Sequence, residues 1–108
     1  MTPLANLTCA SGGQATALSD ADIAQYLLTL NDWQRDGNTL RKTFPFKNYH
    51  ETMAFVNASA WISHREDHHP DMSVHYNRCV VAYSTHDAGG ITLNDFICAA
   101  KLDGLFTL

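Results

Sequence analysis

The sequence predicts an α+β fold, an α-β-β-α-β-β-α two-layer sandwich in which a four-stranded antiparallel sheet carries helices on one face. Three observations carry that expectation. Capping residues precede three stretches of helically spaced apolar side chains. An Asp-Gly turn joins two arms, the second of them alternating. A further alternating stretch slips by one residue at its centre, the mark of a bulge or turn between two short strands.

Residues 1–18 are rich in small and polar types and are expected to form a loose, flexible lead-in, leaving 19–108 as a single domain. Ser19 to Asp22 supplies an N-cap and an acidic third residue, opening a helix with Ile23, Tyr26, Leu27 and Leu30 on its buried stripe. Asp36-Gly37 marks a tight turn between Trp33-Gln34-Arg35 and the arm from Asn38 to Phe46. In that arm Leu40, Phe44 and Phe46 share one face, while Thr39, Arg41 and Thr43 take a wet one. Pro45 signals an edge position or the end of regular pairing.

Asn48 to Glu51 repeats the capping pattern and starts a helix over about 48–66. Tyr49, Met53, Val56 and Ala60, widened by Ala54, Ala58 and Trp61, are expected to pack across the sheet, with Arg65, Glu66 and Asp67 facing solvent. Pro70 disfavours helical geometry at His69, so the helix should end just before the double histidine. Met72, Val74 and Tyr76 then alternate with Ser73, His75 and Asn77. After a slip at Asn77-Arg78, Cys79, Val81 and Tyr83 alternate with Val80, Ala82 and Ser84, and His86 falls on the latter side. Asp87 to Gly90 reads as a loop. Thr92 to Asp95 caps a last helix carrying Phe96, Ile97 and Ala100.

A chain of 108 residues with 45% hydrophobic and 17% charged residues can bury a core without a disulfide or structural metal. Its net charge is −4, and its seven basic residues form no run longer than two, which argues against nucleic-acid binding. Cys9, Cys79 and Cys98 show no CxxC spacing and suit a reducing compartment. The first residues lack the basic and apolar runs of a signal peptide, and Cys9 is only a faint match to a lipoprotein cleavage site. No stretch approaches the roughly 18 apolar residues of a membrane span, so a cytoplasmic location away from membranes is expected. No serine sits in an elbow motif, and no glycine-rich phosphate loop is present.

The stretch HREDHHP, residues 64–70, holds three of the six histidines. Three chemistries begin this way. His64 and His68 would share a helical face as metal ligands if the helix ran that far, with His69, His75, His86, Asp67 or Cys79 completing a site. Pro70 opposes that continuation, and no third ligand stands at a familiar spacing. Solvated loop histidines are the bland alternative. The third is proton transfer: an imidazole with an ordinary pKa of about 6.5 both gives and takes protons near neutrality. His68-His69 after a helix and His86 at a strand end are placed on two elements that can flank a flat substrate.

HREDHHP, followed by Tyr76-Asn77, by Ser84 to Thr92 with His86 inside it, and by Asp95, resembles the pterin-4a-carbinolamine dehydratase family. The likeness extends upstream through the Leu18-Ser19-Asp20 helix start, Trp33, Phe44 and Phe46, and so covers nearly the whole chain from about residue 18. It implies the same α-β-β-α-β-β-α fold. It also implies dehydration of 4a-hydroxytetrahydropterin (such as 4a-hydroxytetrahydrobiopterin) to quinonoid dihydropterin without metal or other cofactor, recycling the pterin of an aromatic amino acid hydroxylase. By position, His68 and His86 correspond to the principal acid/base pair and His69 to a pterin-binding and electrostatic partner. Asp67 and Asp87 flank these rings and are expected to fix their tautomers. Asp95 corresponds to a further site carboxylate, although helix capping alone accounts for it. Trp33 corresponds to a pocket aromatic, with core packing beside Phe44 as the other role.

His64 stands where many members carry Glu, so either the position tolerates any polar group or the pH optimum differs. Family members are oligomers through their sheets, which implies a homodimer or homotetramer, and the strand at 79–85 is expected to offer the edge. Some members also stabilise a dimeric transcription factor, so a protein-interaction module is the competing function.

Overall fold

The computed structural model describes residues 2–11 and 13–106. Its elements are α1 (Asp20–Leu27), β1 (Gln34–Asp36), β2 (Thr39–Pro45), α2 (Tyr49–Glu66), β3 (Asp71–His75), β4 (Arg78–Tyr83) and α3 (Leu93–Asp103), with short 3-10 turns at Leu4–Asn6, His86–Ala88 and Gly104–Phe106. The strands form one antiparallel sheet in the order β1-β2-β4-β3. This is the expected α+β sandwich. No helix among the described residues is long and apolar enough to cross a membrane.

Capping decides where the helices begin. Ser19 Oγ accepts the Asp22 N–H at 3.1 Å and Asn48 Oδ1 accepts the Glu51 N–H at 2.9 Å, each satisfying a donor the helix itself leaves open. The first hairpin turns at Gly37-Asn38, one residue later than Asp36-Gly37, and Gly37 takes a φ of 61° that a side chain would strain. Pro45 ends β2. The Phe46 N–H reaches the Asn77 carbonyl in the β3–β4 turn at 2.8 Å. By alternation the Pro45 nitrogen points the other way, beyond the last β1 pair, Gln34 with Arg41, so no ladder bond is lost there.

The core lies between the sheet and the helices. Leu40, Phe44, Cys79, Val81 and Tyr83 from the strands meet Ile23, Phe55, Phe96, Ala99 and Leu102 from the helices. Fully burying each of the large side chains contributes about 1.5–3 kcal/mol. The slip at Asn77-Arg78 is a two-residue turn between β3 and β4. The predicted inner face of β4 is buried, but on β3 only Met72 packs inward, while Val74 and Tyr76 are exposed. β4 is an interior strand, so the expected sheet edge at 79–85 is corrected: the edges are β1 and β3.

α2 buries a different stripe from the expected one. Thr52, Phe55, Ser59 and Glu66 are buried, with Val56 and Ile62 packed beside them, whereas Tyr49 and Trp61 are exposed. The buried hydroxyls are satisfied by main chain: Thr52 Oγ1 lies 3.0 Å from the Asn48 and Tyr76 carbonyls, and Ser59 Oγ donates to Val56 O at 2.7 Å. Glu66, expected in solvent, is buried because Oε1 accepts the Cys9 N–H at 2.9 Å. The lead-in thus lies along α3 and the end of α2, instead of standing loose. Asn94 exchanges two 2.9 Å hydrogen bonds with the backbone of Ala10, and Lys101 Nζ donates to the Ala5 carbonyl at 2.7 Å. With the sheet side on one flank and this segment on the other, α3 is buried from Asn94 to Ala99.

Candidate active site

The C-terminus of α2 sets the site. Asp67 adopts a left-handed conformation (φ 52°, ψ 42°), and the chain closes with Asp67 N–H to His64 O at 3.4 Å and His68 N–H to Ser63 O at 3.2 Å. This is the Schellman pattern, normally built on glycine. It ends the helix at Glu66, so the reversal at Asp67 turns His68 out of the helical path before Pro70 acts. Aspartate, with its short polar side chain, is one of the few non-glycine residues that enters this region readily.

His68 swings against the start of α3. Its Nε2 lies 2.6 Å from Asp95 Oδ1; the His68 side chain is 13% exposed and that of Asp95 is fully buried. Asp95 Oδ2 accepts the Thr92 N–H and the Thr85 hydroxyl, both at 2.9 Å. Because Thr85 spends its proton on Asp95, the Thr92 hydroxyl donates to Thr85 Oγ1 at 2.8 Å. Asp95 therefore caps α3 and holds His68 with the same carboxylate. An ionised carboxylate only accepts, so His68 carries its proton on Nε2 and Nδ1 is left as the free ring nitrogen. The His68 ring also stacks on Tyr83, 5.9 Å between centroids at 13°.

An open cavity of about 370 Å³ lies where the α2–β3 and β4–α3 connections meet. His68, His69 and His86 line it, with Asp67, Asp87 and Asp71. Its floor is Ala82 and Ser84, and Ala82 pairs with Asp71 in the β3–β4 ladder. His69 and His86 are exposed, and His86 opens the 3-10 turn to Ala88, closed by Gly89 at φ 75°. The site thus brings together the three expected histidines, Asp67 and Asp87, with Asp95 behind His68.

Two expected residues stand elsewhere. His64 is exposed on the last turn of α2, its ring 6.3 Å from that of Trp61, and does not line this cavity. Trp33 is 6% exposed in the core, edge-on to Phe44, and its Nε1 donates to Asp103 Oδ2 at 2.9 Å. The Tyr83 ring meets both Trp33 and His68, its centroid 6.1 Å from the first and 5.9 Å from the second. Trp33 thus supports the stack that backs His68 without reaching the cavity.

Sequence reasoning missed Thr85, Asp71 and Tyr83. Only Thr85 had a local signal, its place directly before His86 in a strand exit. Burial, with Cys98, Cys9 and Asp95 nearby, pushes the Tyr83 phenol far above its ordinary range, so it stays protonated beside His68. Among the described residues no group of three His, Cys, Asp or Glu side chains is arranged to hold a metal ion.

Comparison with known proteins places the chain in a family. The family model described as "Pterin 4 alpha carbinolamine dehydratase" matches residues 16–105. Relatives from Chromobacterium violaceum and Nitrosospira multiformis are 63% and 58% identical over 103 and 96 residues; these matches cover 95% and 89% of this chain and 95% and 85% of theirs. Both carry the name "Putative pterin-4-alpha-carbinolamine dehydratase". A crystal structure of a transcriptional coactivator/pterin dehydratase from Brucella melitensis superposes with a TM-score of 0.80 at 27% identity, over 83% of this chain and 98% of that one. The chain belongs to the pterin 4 alpha carbinolamine dehydratase family.

Proposed function

We propose that this chain dehydrates a pterin-4a-carbinolamine to the quinonoid dihydropterin and water, with His68 as base and His86 as acid. The observation that carries the assignment is the His68–Asp95 contact of 2.6 Å at the wall of a cavity also lined by His69 and His86. In the reaction the ring N–H gives its proton to His68 Nδ1, and the electron pair of that bond forms the C=N bond. The C–O bond breaks, and the leaving hydroxyl takes a proton from His86 and departs as water. Protons balance, with one taken up and one delivered. The imidazolium formed at His68 is stabilised by Asp95 behind it and returns its proton to water through the open cavity, while exposed His86 is reprotonated from solvent. His69, Asp67 and Asp87 hold the polar edge of the pterin. Each positioned acid or base contributes roughly 10²–10⁴-fold.

The same reading assigns a cytoplasmic protein that recycles pterin for an aromatic amino acid hydroxylase, as a homodimer or homotetramer. The exposed Tyr49 and Trp61 on α2 support assembly. They also favour a second reading, a coactivator role, the word carried in the name of the Brucella relative, which predicts partner binding that survives loss of His68 and His86. Ultraviolet absorbance after enzymatic generation of the carbinolamine tests the first reading. Wild type should accelerate its decay, and His68→Ala and His86→Ala should not. Decay at the uncatalysed rate with wild type would overturn the assignment.

A further inference from the structure

Two of the three cysteines meet on the far side of Tyr83 from any role in the proposed reaction. Cys9 of the lead-in and Cys98 of α3 hold their sulfurs 3.6 Å apart, although 89 positions separate them in the chain. Both are free thiols; Cys98 is buried and Cys9 is partly exposed. Cys9 Sγ also lies 3.7 Å from the Asn94 carbonyl, within reach of its own S–H, which leaves Cys98 to donate to Cys9. That hydrogen bond and then burial push the Cys98 thiol far above its ordinary range. Cys98 therefore keeps its proton, and Cys9 is the sulfur that meets an oxidant first.

The surrounding backbone holds Cys9 at this position. Buried Glu66 accepts the Cys9 N–H at 2.9 Å, and Asn94 bonds both the N–H and the carbonyl of Ala10 at 2.9 Å. Cys9 itself lies in neither helix nor strand, so its sulfur can move the roughly 1.5 Å that separates this contact from a covalent bond. The Tyr83 hydroxyl is buried near both thiols and, among the described residues, has no hydrogen-bond partner. An oxygen added to a neighbouring sulfur supplies the acceptor it lacks. The family model begins at residue 16, so Cys9 lies outside the matched region.

We propose that Cys9 and Cys98 form a reversible disulfide on exposure to a peroxide, a latch that fastens the lead-in to α3. Cys9 Sγ attacks hydrogen peroxide, the O–O bond breaks, and Cys9 becomes a sulfenic acid as water departs. Cys98 Sγ then attacks the Cys9 sulfur. The S–O bond breaks, and the Cys98 proton leaves with the hydroxyl as a second water. Two thiols are oxidised and one hydrogen peroxide is reduced to two waters. A dithiol reverses the bond by exchange. Disulfides formed in reducing compartments are mostly transient and redox-responsive, the behaviour expected of this pair.

The test treats the full-length protein with hydrogen peroxide and maps its peptides without reduction. Wild type should lose the Cys9 and Cys98 thiols together, with a mass lower by two hydrogens, and yield one cross-linked peptide pair containing both. Dithiothreitol should restore both thiols. Hydrogen exchange at the Cys9 and Ala10 amides should slow about tenfold or more in the oxidised protein. Cys9→Ser should fold normally and form no disulfide within the chain. Four results would each overturn the latch: oxygen adducts at Cys9 with Cys98 still free, a bond between two copies of the chain, a disulfide that persists in Cys9→Ser, or unchanged amide exchange after the bond forms.

Discussion

His68 and His86 line one cavity but are held differently. His68 is nearly buried, fixed by Asp95 at 2.6 Å and backed by the Tyr83 ring. His86 is exposed on a short 3-10 turn and faces solvent. Under the proposed roles, the difference separates two demands of an elimination. The base must meet one ring proton at a fixed angle, which favours a ring with its tautomer set from behind. The acid must be reloaded from water each turnover, which favours an open position.

Changing Asp95 strikes the held arm hardest. Asp95→Asn leaves the size of the side chain but removes the acceptor pair that fixes Nε2–H and caps α3. The expected loss in kcat/KM is about 10²-fold or more, with a separate stability cost of about 1 kcal/mol from the weakened cap. Steady-state kinetics and thermal unfolding read the two effects independently. Normal kcat/KM in folded Asp95→Asn would make the carboxylate a cap alone.

Asp67→Gly separates backbone from side chain at the turn that delivers His68. Glycine accepts the left-handed conformation freely, so stability should hold or rise by about 0.5 kcal/mol. The carboxylate is lost from the histidine-lined cavity, and kcat/KM should fall about tenfold. Denaturant midpoints moving down with activity would mean that the turn depends on the aspartate itself.

Tyr83→Phe tests the stack without its hydroxyl and should leave kcat/KM within about twofold, since the ring is what His68 meets. Its larger effect is on alkaline stability. The buried phenol has a pKa raised from 10.0, so its contribution is fully present below pH 10.0 and fades as pH rises beyond it, because the unfolded chain releases that proton first. Tyr83→Phe should therefore flatten the loss of stability above pH 10.0, measured by urea unfolding across that range. A slope equal to that of wild type would place the phenol's titration elsewhere.

The smallest effect is expected at His64. It is exposed and outside the cavity, so His64→Glu should leave the pH–rate profile where it is. A displaced profile would show that charge at the end of α2 is felt by the histidine pair.

Local signals were legible and long-range ones were not. Ser19, Asn48 and Thr92 are read correctly as helix starts because capping involves only neighbours three residues on. α2 was misphased because large apolar residues at 49 and 61 outweigh Thr52 and Ser59. Those two small polar side chains can be buried once main-chain carbonyls meet their hydroxyls. The motif spacing identified His68, His69 and His86, and the structure gathers all three at one cavity. The same spacing says nothing of distance and drew in His64, as the wider resemblance drew in Trp33; both lie outside that cavity. Asp95 is legible locally only as a cap; its second task is suggested by the resemblance alone, and the contact with His68 gives it a geometry. The lead-in has no periodicity, so its docking on Glu66, Asn94 and Lys101 left no trace in the sequence pattern.

A double-mutant comparison of kcat/KM tests most directly whether His68 and His86 act in one step. His68→Ala and His86→Ala should each cost about 10²–10⁴-fold, and the double variant should fall no more than about tenfold below the slower single. A single variant with wild-type kcat/KM, or losses that multiply in full, would contradict the pairing of a held base with a free acid.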